Sequence, residues 1–183
     1  KAPPAEPRVP PLVVDLSAMR SVRVDQTAGT VRAEGGALIA DVDREGAALG
    51  LFAPLGLYSE TGIGGFTLGG GLGWMRRSAG MACDNLVSAD VVTADGRLLT
   101  ASANRHEDLF WALRGGGWDL GVVTSFEYRA QRIDPEVFFL FVTYPLDESE
   151  RILAALDRFM ATAPDGANVL AVLWTFPTHG DAY

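Results

Sequence analysis

Residues 60–74 read Glu-Thr-Gly-Ile-Gly-Gly-Phe-Thr-Leu-Gly-Gly-Gly-Leu-Gly-Trp, with seven glycines in fifteen positions. Glycine gives up side-chain packing and carries extra backbone entropy. A cluster this dense therefore marks a chain that must turn sharply or bring its bare backbone to a ligand. The stretch lacks the Pro, Ser and Gln bias of a flexible linker, and Ile63, Phe66, Leu68, Leu72, Trp74 and Met75 are interleaved with the glycines. It reads as a packed element anchored beside something, and a dinucleotide is the ligand class that its bare amides suit.

The surrounding chain narrows the setting. Its 183 residues are enough for one domain, or for one and a piece of another, and 48% apolar with 21% charged residues describes a globular chain. Acidic residues exceed basic ones by 23 to 15, for a net charge of −8, and there is no basic run. The chain thus lacks the electrostatic footprint of a nucleic-acid or anionic-membrane partner, which leaves small molecules. One cysteine, Cys83, excludes an internal disulfide framework, and no apolar run approaches membrane-spanning length. The chain begins KAPPAEPRVPP without a methionine. Localisation is weakly constrained, with cytoplasmic as the expectation.

Residues 1–11 hold five of the ten prolines and form an extended lead-in. Leu12 to Leu16, Val22 to Asp25 and Thr30 to Glu34 are strand candidates, the last two separated by a turn at Gln26 to Gly29. Ala37 to Leu49 has amphipathic helical spacing and stops at Gly50. Leu86 to Thr93 and Arg97 to Ala101 flank Ala94-Asp95-Gly96, a strong hairpin signal. A short helix is expected over His106 to Leu113, closed by Gly115 to Gly117, and a strand over Gly121 to Tyr128. After Pro135 come a strand at Val137 to Tyr144, a helix at Glu148 to Ala161 and a strand at Val169 to Phe176. The fold class is α+β, and residues 135–183 read as the opening β-α-β of a second domain.

The usual phosphate-binding motifs fail. In Gly62-Ile63-Gly64-Gly65-Phe66-Thr67, Thr67 occupies the third-glycine position of GxGxxG, and no acidic residue follows at the expected spacing. Walker A needs a Gly-Lys pair, and the only lysine is Lys1. GxSxG is absent, and His106, His179 and Cys83 are too scattered for a metal site or a nucleophile-base pair. Two readings of the glycine segment remain open at this point. Its amides bind a pyrophosphate without a cationic side chain, or the glycines serve only a tight crossing of backbone.

The order ETGIGGFTLGGGLGWMRRSAGMACDNLVSADVVTADGRLLTAS, then DLFWALRGGG and GVVTSFEYR, closely resembles the FAD-linked oxidases of the p-cresol methylhydroxylase (PCMH) and vanillyl-alcohol oxidase superfamily, and its berberine-bridge-enzyme-like branch above all. The resemblance is dense from about Leu12 to Arg132 and continues loosely into the family's substrate domain. It implies an FAD-binding PCMH-type domain over residues 12–134, lacking its N-terminal subdomain, and a truncated substrate-binding domain over 135–183. It further implies that Glu60, Thr61, Gly62, Gly64 and Gly65 lie against flavin and pyrophosphate. It implies too that Gly69 to Gly71 let the next helix pack close to the cofactor, with Gly69 and Gly70 among the cofactor-binding positions. Asp84 and Asn85 lie beside the site, with an Asx turn as the alternative, and Gly121 and Val123 meet the adenosine end.

Departures from the family pattern bear on the cofactor link. Where some relatives carry a flavin-linking cysteine this chain has Tyr58, so Cys83 reads as a buried small hydrophobe. No R-S-G-G-H-type attachment loop precedes Leu12, and His106 and His179 read as surface histidines. Trp118 and Asp119 replace a glycine and an asparagine, which opposes a polyanionic ligand by bulk and like charge. The implied function is FAD-dependent hydride removal from an alcohol, sugar or alkaloid-like small molecule, with no assignable catalytic residue and no metal. The alternatives are a remnant that binds no cofactor and an NAD-binding Rossmann protein that tolerates the missing third glycine.

Overall fold

Asp25 closes the first turn, where its Oδ1 accepts the amides of Thr27 (2.9 Å) and Ala28 (2.8 Å). Gly29 then supplies the positive φ of 65° that returns the chain. The result is a hairpin of β1 (Val22–Asp25) and β2 (Thr30–Glu34). The computed structural model describes residues 12–117, 119–133 and 136–174. Around the Asp95-Gly96 turn lies a second hairpin, of β4 (Leu86–Val92) and β5 (Leu98–Ser102); the Thr93 amide bonds the Arg97 carbonyl at 2.9 Å.

The two hairpins are joined by β6 (Val122–Arg129), which inserts between β2 and β4 to give the antiparallel order β1-β2-β6-β4-β5. Register places Val31 opposite Tyr128 and Ala33 opposite Phe126, with Ala89 facing Phe126 from the other side. Period-two alternation then sorts the two faces. One buries Val31, Ala33, Ala89, Val91, Ala101, Phe126 and Tyr128. The other carries an ionic lattice: Arg32 binds Asp90 and Glu127, Thr100 donates to Asp90 (2.7 Å), and Ser88 donates to Glu127 (2.7 Å). A separate two-residue pairing, β3 (Leu51–Phe52) with β7 (Gln131–Arg132), was not anticipated from the sequence.

Helix α1 (Ile39–Ala47) covers the sheet with Ile39 and Val42 and is capped by Asp41 rather than by a residue ahead of it. The nearly buried Asp41 carboxylate accepts the Leu38 amide (2.9 Å), Arg20 Nε (2.8 Å) and Arg44 (2.8 Å). Burial pushes this carboxyl up, but the three bonds outweigh it and hold it below the ordinary range. A depressed carboxyl contributes stability above the unfolded-state pKa of about 3.9 and loses it as pH falls through the folded value. Asp41→Asn is expected to cost about 2 kcal/mol at neutral pH. The gap between variant and parent should narrow on acidification below about pH 4, as thermal unfolding at pH 7 and pH 3 will show.

Three expected strands are corrected. Leu12 to Leu16 is irregular and largely exposed, and neither Val137 to Tyr144 nor the described part of Val169 to Phe176 forms a strand. The reason is physical: β propensity is realised only through a hydrogen-bonded neighbour. Phe138, Phe139, Phe141, Val172 and Trp174 instead remain exposed. Between them, the expected helix forms as α5 (Ser149–Met160).

Candidate functional site

The glycine run is several elements in sequence. Thr61 and Gly62 bridge to α1's approach, where Ile39 N donates to Thr61 O and Ile63 N to Ala37 O, each at 3.0 Å. Helix α2 (Ile63–Leu68) follows despite two internal glycines, because Ile63 and Thr67, four residues apart, share one fully buried face. Gly70 (φ 103°) and Gly71 (φ 80°) then reverse the chain into the short helix α3 (Arg76–Ala79). A 3-10 turn at Ala82–Asn85 returns to them, with Ala82 N bonding Gly71 O (2.9 Å) and Cys83 N bonding Gly70 O (3.0 Å).

A Cβ placed at each glycine separates those the fold requires from those it does not. At Gly71 it would lie 2.6 Å from Ala82 Cβ and 2.7 Å from the Phe66 ring, and at Gly73 it would overlap the Leu55 carbonyl. At Gly64 it would press on Gly35 O (3.2 Å), above the Phe126 ring (3.9 Å). Gly62 and Gly65 differ. Both are exposed, nothing lies within 4 Å of their Cβ positions, and neither has a positive φ. Neither packing nor conformation demands glycine there.

Close to these two glycines in sequence are exposed Glu60, half-buried Thr61 and exposed Gly69, together with the exposed apolar side chains of Tyr58, Leu72 and Trp74. The amides of Gly64 and Gly65 belong to the first turn of α2, where a helix offers no acceptor. Arg76 and Arg77, the nearest cations in sequence, are engaged elsewhere. Arg76 donates to Val169 O (3.1 Å), and Arg77 to Ala163 O (3.1 Å), Pro164 O (3.2 Å) and Ala167 O (3.0 Å). The Gly64 and Gly65 amides and the Thr61 hydroxyl are therefore the donors this stretch itself offers.

The remaining expected site residues have internal partners. Buried Asn85 donates to Ala79 O (2.7 Å) and Met81 O (3.0 Å). Asp84, on the surface, accepts the Met81 amide (2.9 Å) and faces Arg114 at 3.4 Å. Gly121 (φ 135°) passes against the Val92 carbonyl, and Val123 is a core residue at 5% exposure. Gly35 links these regions, since its amide bonds Thr124 O (2.8 Å) while its carbonyl underlies Gly64. In the sequence this residue is half of the Gly35-Gly36 pair, and a double glycine directly after a strand is a visible signal.

Cys83 is buried, its thiol pushed up by burial and by the Asp84 carboxylate, with Arg114 pulling the other way. It is an unreactive packing residue in this setting. His106 is exposed, with φ 50° ahead of α4 (Glu107–Leu113), whose last turn leads to Arg114; that guanidinium bonds Cys83 O at 2.8 Å. Trp118 and His179 lie outside the described residues, while Asp119 is exposed. Among the described residues no group of three or more His, Cys, Asp or Glu is placed to hold a metal, and no helix is long and apolar enough to cross a membrane.

Known proteins resemble this chain in sequence and in fold. A family model described as FAD binding domain matches residues 6–102. FAD-linked oxidoreductase pgmH of Aspergillus terreus is 47% identical over 147 residues, covering 80% of this chain and 30% of the relative. The crystal structure of 6-hydroxy-D-nicotine oxidase from Arthrobacter nicotinovorans aligns with a TM-score of 0.76 at 33% identity, over 81% of this chain and 33% of that one. BBE-like 1 of Physcomitrella patens aligns with a TM-score of 0.60 at 30% identity, over 63% and 25%. The chain thus spans about a third or less of the length of these proteins.

Proposed function

Because the chain belongs to the FAD-binding-domain family of FAD-linked oxidoreductases, we propose that its open glycine face, Glu60 to Gly65 with Gly69, is where FAD lies in an oxidoreductase acting on a small molecule. When bound, FAD supplies a two-electron acceptor that takes hydride from a C–H bond of an alcohol, sugar or alkaloid-like substrate, with O₂ or another acceptor restoring it. The chain's own residues bind and orient. The Gly64 and Gly65 amides donate to the pyrophosphate, and bare Cα positions at Gly62 and Gly65 let backbone reach it. Glu60 is an acceptor and suits hydroxyl groups rather than phosphate. Exposed Tyr58, Leu72 and Trp74 are the apolar side chains of this stretch that would meet the flavin ring.

The observation that carries this reading is the absence of any internal reason for glycine at positions 62 and 65. Residues 12–134 form the FAD-binding unit in this proposal, and 135–183 the beginning of a substrate-binding unit. Asp84, Asn85, Gly121 and Val123 support the site from behind: the Asn85 donors are spent on Ala79 and Met81, and Val123 is buried. Titration of the chain with FAD, followed by flavin fluorescence, tests the proposal. Saturable quenching is the expected result. Unquenched flavin over a folded chain favours the second reading, a cofactor-free remnant, for which exposed Asp84 and Asp119 supply unfavourable charge.

The pyrophosphate also predicts selectivity. Riboflavin, which lacks phosphate, should bind at least about tenfold more weakly than FAD, the equivalent of one charge-assisted hydrogen bond. Competition of the two for the quenching signal measures it.

A further inference from the structure

Thr67 occupies the position that broke the GxGxxG pattern, and the fold gives it a partner 61 residues away. Its Oγ1 lies 2.7 Å from Tyr128 Oη, and both residues are fully buried. Burial pushes the Tyr128 phenol above its ordinary range, the Thr67 bond opposing only in part, so the hydroxyl keeps its proton. Tyr128 in turn stacks on Phe126, with ring centroids 6.1 Å apart and planes 13° from parallel. Phe126 lies beneath Gly64, so β6 offers α2 a floor of two aromatic rings ending in one hydrogen bond.

Helix α2 needs that support. Six residues, two of them glycine, are too few to hold a helix by propensity alone. Its first residue, Ile63, is tied by a backbone bond to Ala37 and the Thr61 just ahead of it to Ile39, and its last turn is tied to the sheet through Thr67. At about 100° per residue, Gly65 lies about 200° around the axis from both Ile63 and Thr67. Holding Ile63 and Thr67 inward therefore turns Gly65 outward.

Building on the flavin reading, we infer that Thr67 and Tyr128 are positioning residues: their hydroxyl pair fixes the rotation of α2 about its axis and so presents Gly62 and Gly65 to the cofactor. Four variants of the chain test this: Thr67→Val, Tyr128→Phe, the double variant and Thr67→Ser. Each is measured for thermal midpoint, FAD affinity by fluorescence quenching and hydrogen exchange of the α2 amides without flavin.

Thr67→Val and Tyr128→Phe each strand one buried hydroxyl and lower the midpoint, whereas the double variant strands none and regains it. A purely structural pair would regain affinity together with stability. The positioning role instead requires the double variant to bind FAD about five- to tenfold more weakly, and its α2 amides to exchange faster by a similar factor. Thr67→Ser keeps the hydroxyl and holds the parent affinity. A double variant with parent midpoint, parent affinity and parent exchange overturns the inference, as does a weakened Thr67→Ser. If the parent chain binds no flavin, the cofactor reading falls. The exchange of α2 in the double variant then decides the hydroxyl pair, faster exchange supporting its positioning role and unchanged exchange overturning it.

Discussion

Gly65→Ala is expected to leave the thermal midpoint of the chain unchanged or slightly raised while weakening FAD binding by at least about tenfold. The stability half follows from open space around the Cβ position within α2. Replacing glycine by alanine inside a helix favours folding by about 0.5–1 kcal/mol where no clash opposes it. The binding half follows from what the methyl group would cover. A backbone amide bonded to phosphate contributes about 1.5–3 kcal/mol, and a methyl group between them removes that contact. Paired measurement of midpoint and flavin affinity checks both halves. A variant stabilised without loss of affinity would mean that the Gly65 face does not meet the cofactor.

Gly73→Ala, eight residues on, should behave in the opposite way. Its Cβ would overlap the Leu55 carbonyl oxygen, a backbone atom that cannot rotate aside. We expect a loss of about 3 kcal/mol or more. For a chain of this length that lowers the midpoint by roughly 10 °C, read by calorimetry or circular dichroism. The flavin affinity of the folded fraction should change less than in Gly65→Ala, because the strain falls behind the run and not on its open face. Two identical substitutions in one glycine run thus separate a ligand-facing position from a packing position.

That separation was not legible in the sequence, where every glycine is the same letter. What could be read was the need for bare backbone; which glycines the fold itself requires depended on Leu55, Ala82 and Gly35, residues brought in from elsewhere. Short-range signals carried further. The Asp95-Gly96 hairpin, the Val22–Asp25 and Thr30–Glu34 pair and the amphipathic helix after Ala37 are set by local turn chemistry and periodicity, and each formed. Helix α2 was hidden because its glycines oppose helix propensity, and tertiary burial of Ile63 and Thr67 overrides them.

The misses share one cause. Leu12 to Leu16, Val137 to Tyr144 and Val169 onward have strand composition, but composition cannot report whether a partner strand stands beside them. Asn85 shows the same limit: family resemblance suggested a place for it beside the cofactor, whereas the use of its amide on Ala79 and Met81 required the three-dimensional turn. The family was legible because its motifs lie close together in sequence, and the match over residues 6–102 carries that reading.

In the proposed site the open glycine face holds FAD through backbone amides. Equilibrium titration of the purified chain with FAD, run beside Gly65→Ala at matched folded concentration, tests it most directly. Saturable single-site binding by the parent chain is expected, with a dissociation constant at least about tenfold higher for the variant. A folded parent chain that leaves flavin fluorescence unchanged, or a variant that binds as tightly as the parent, would contradict it.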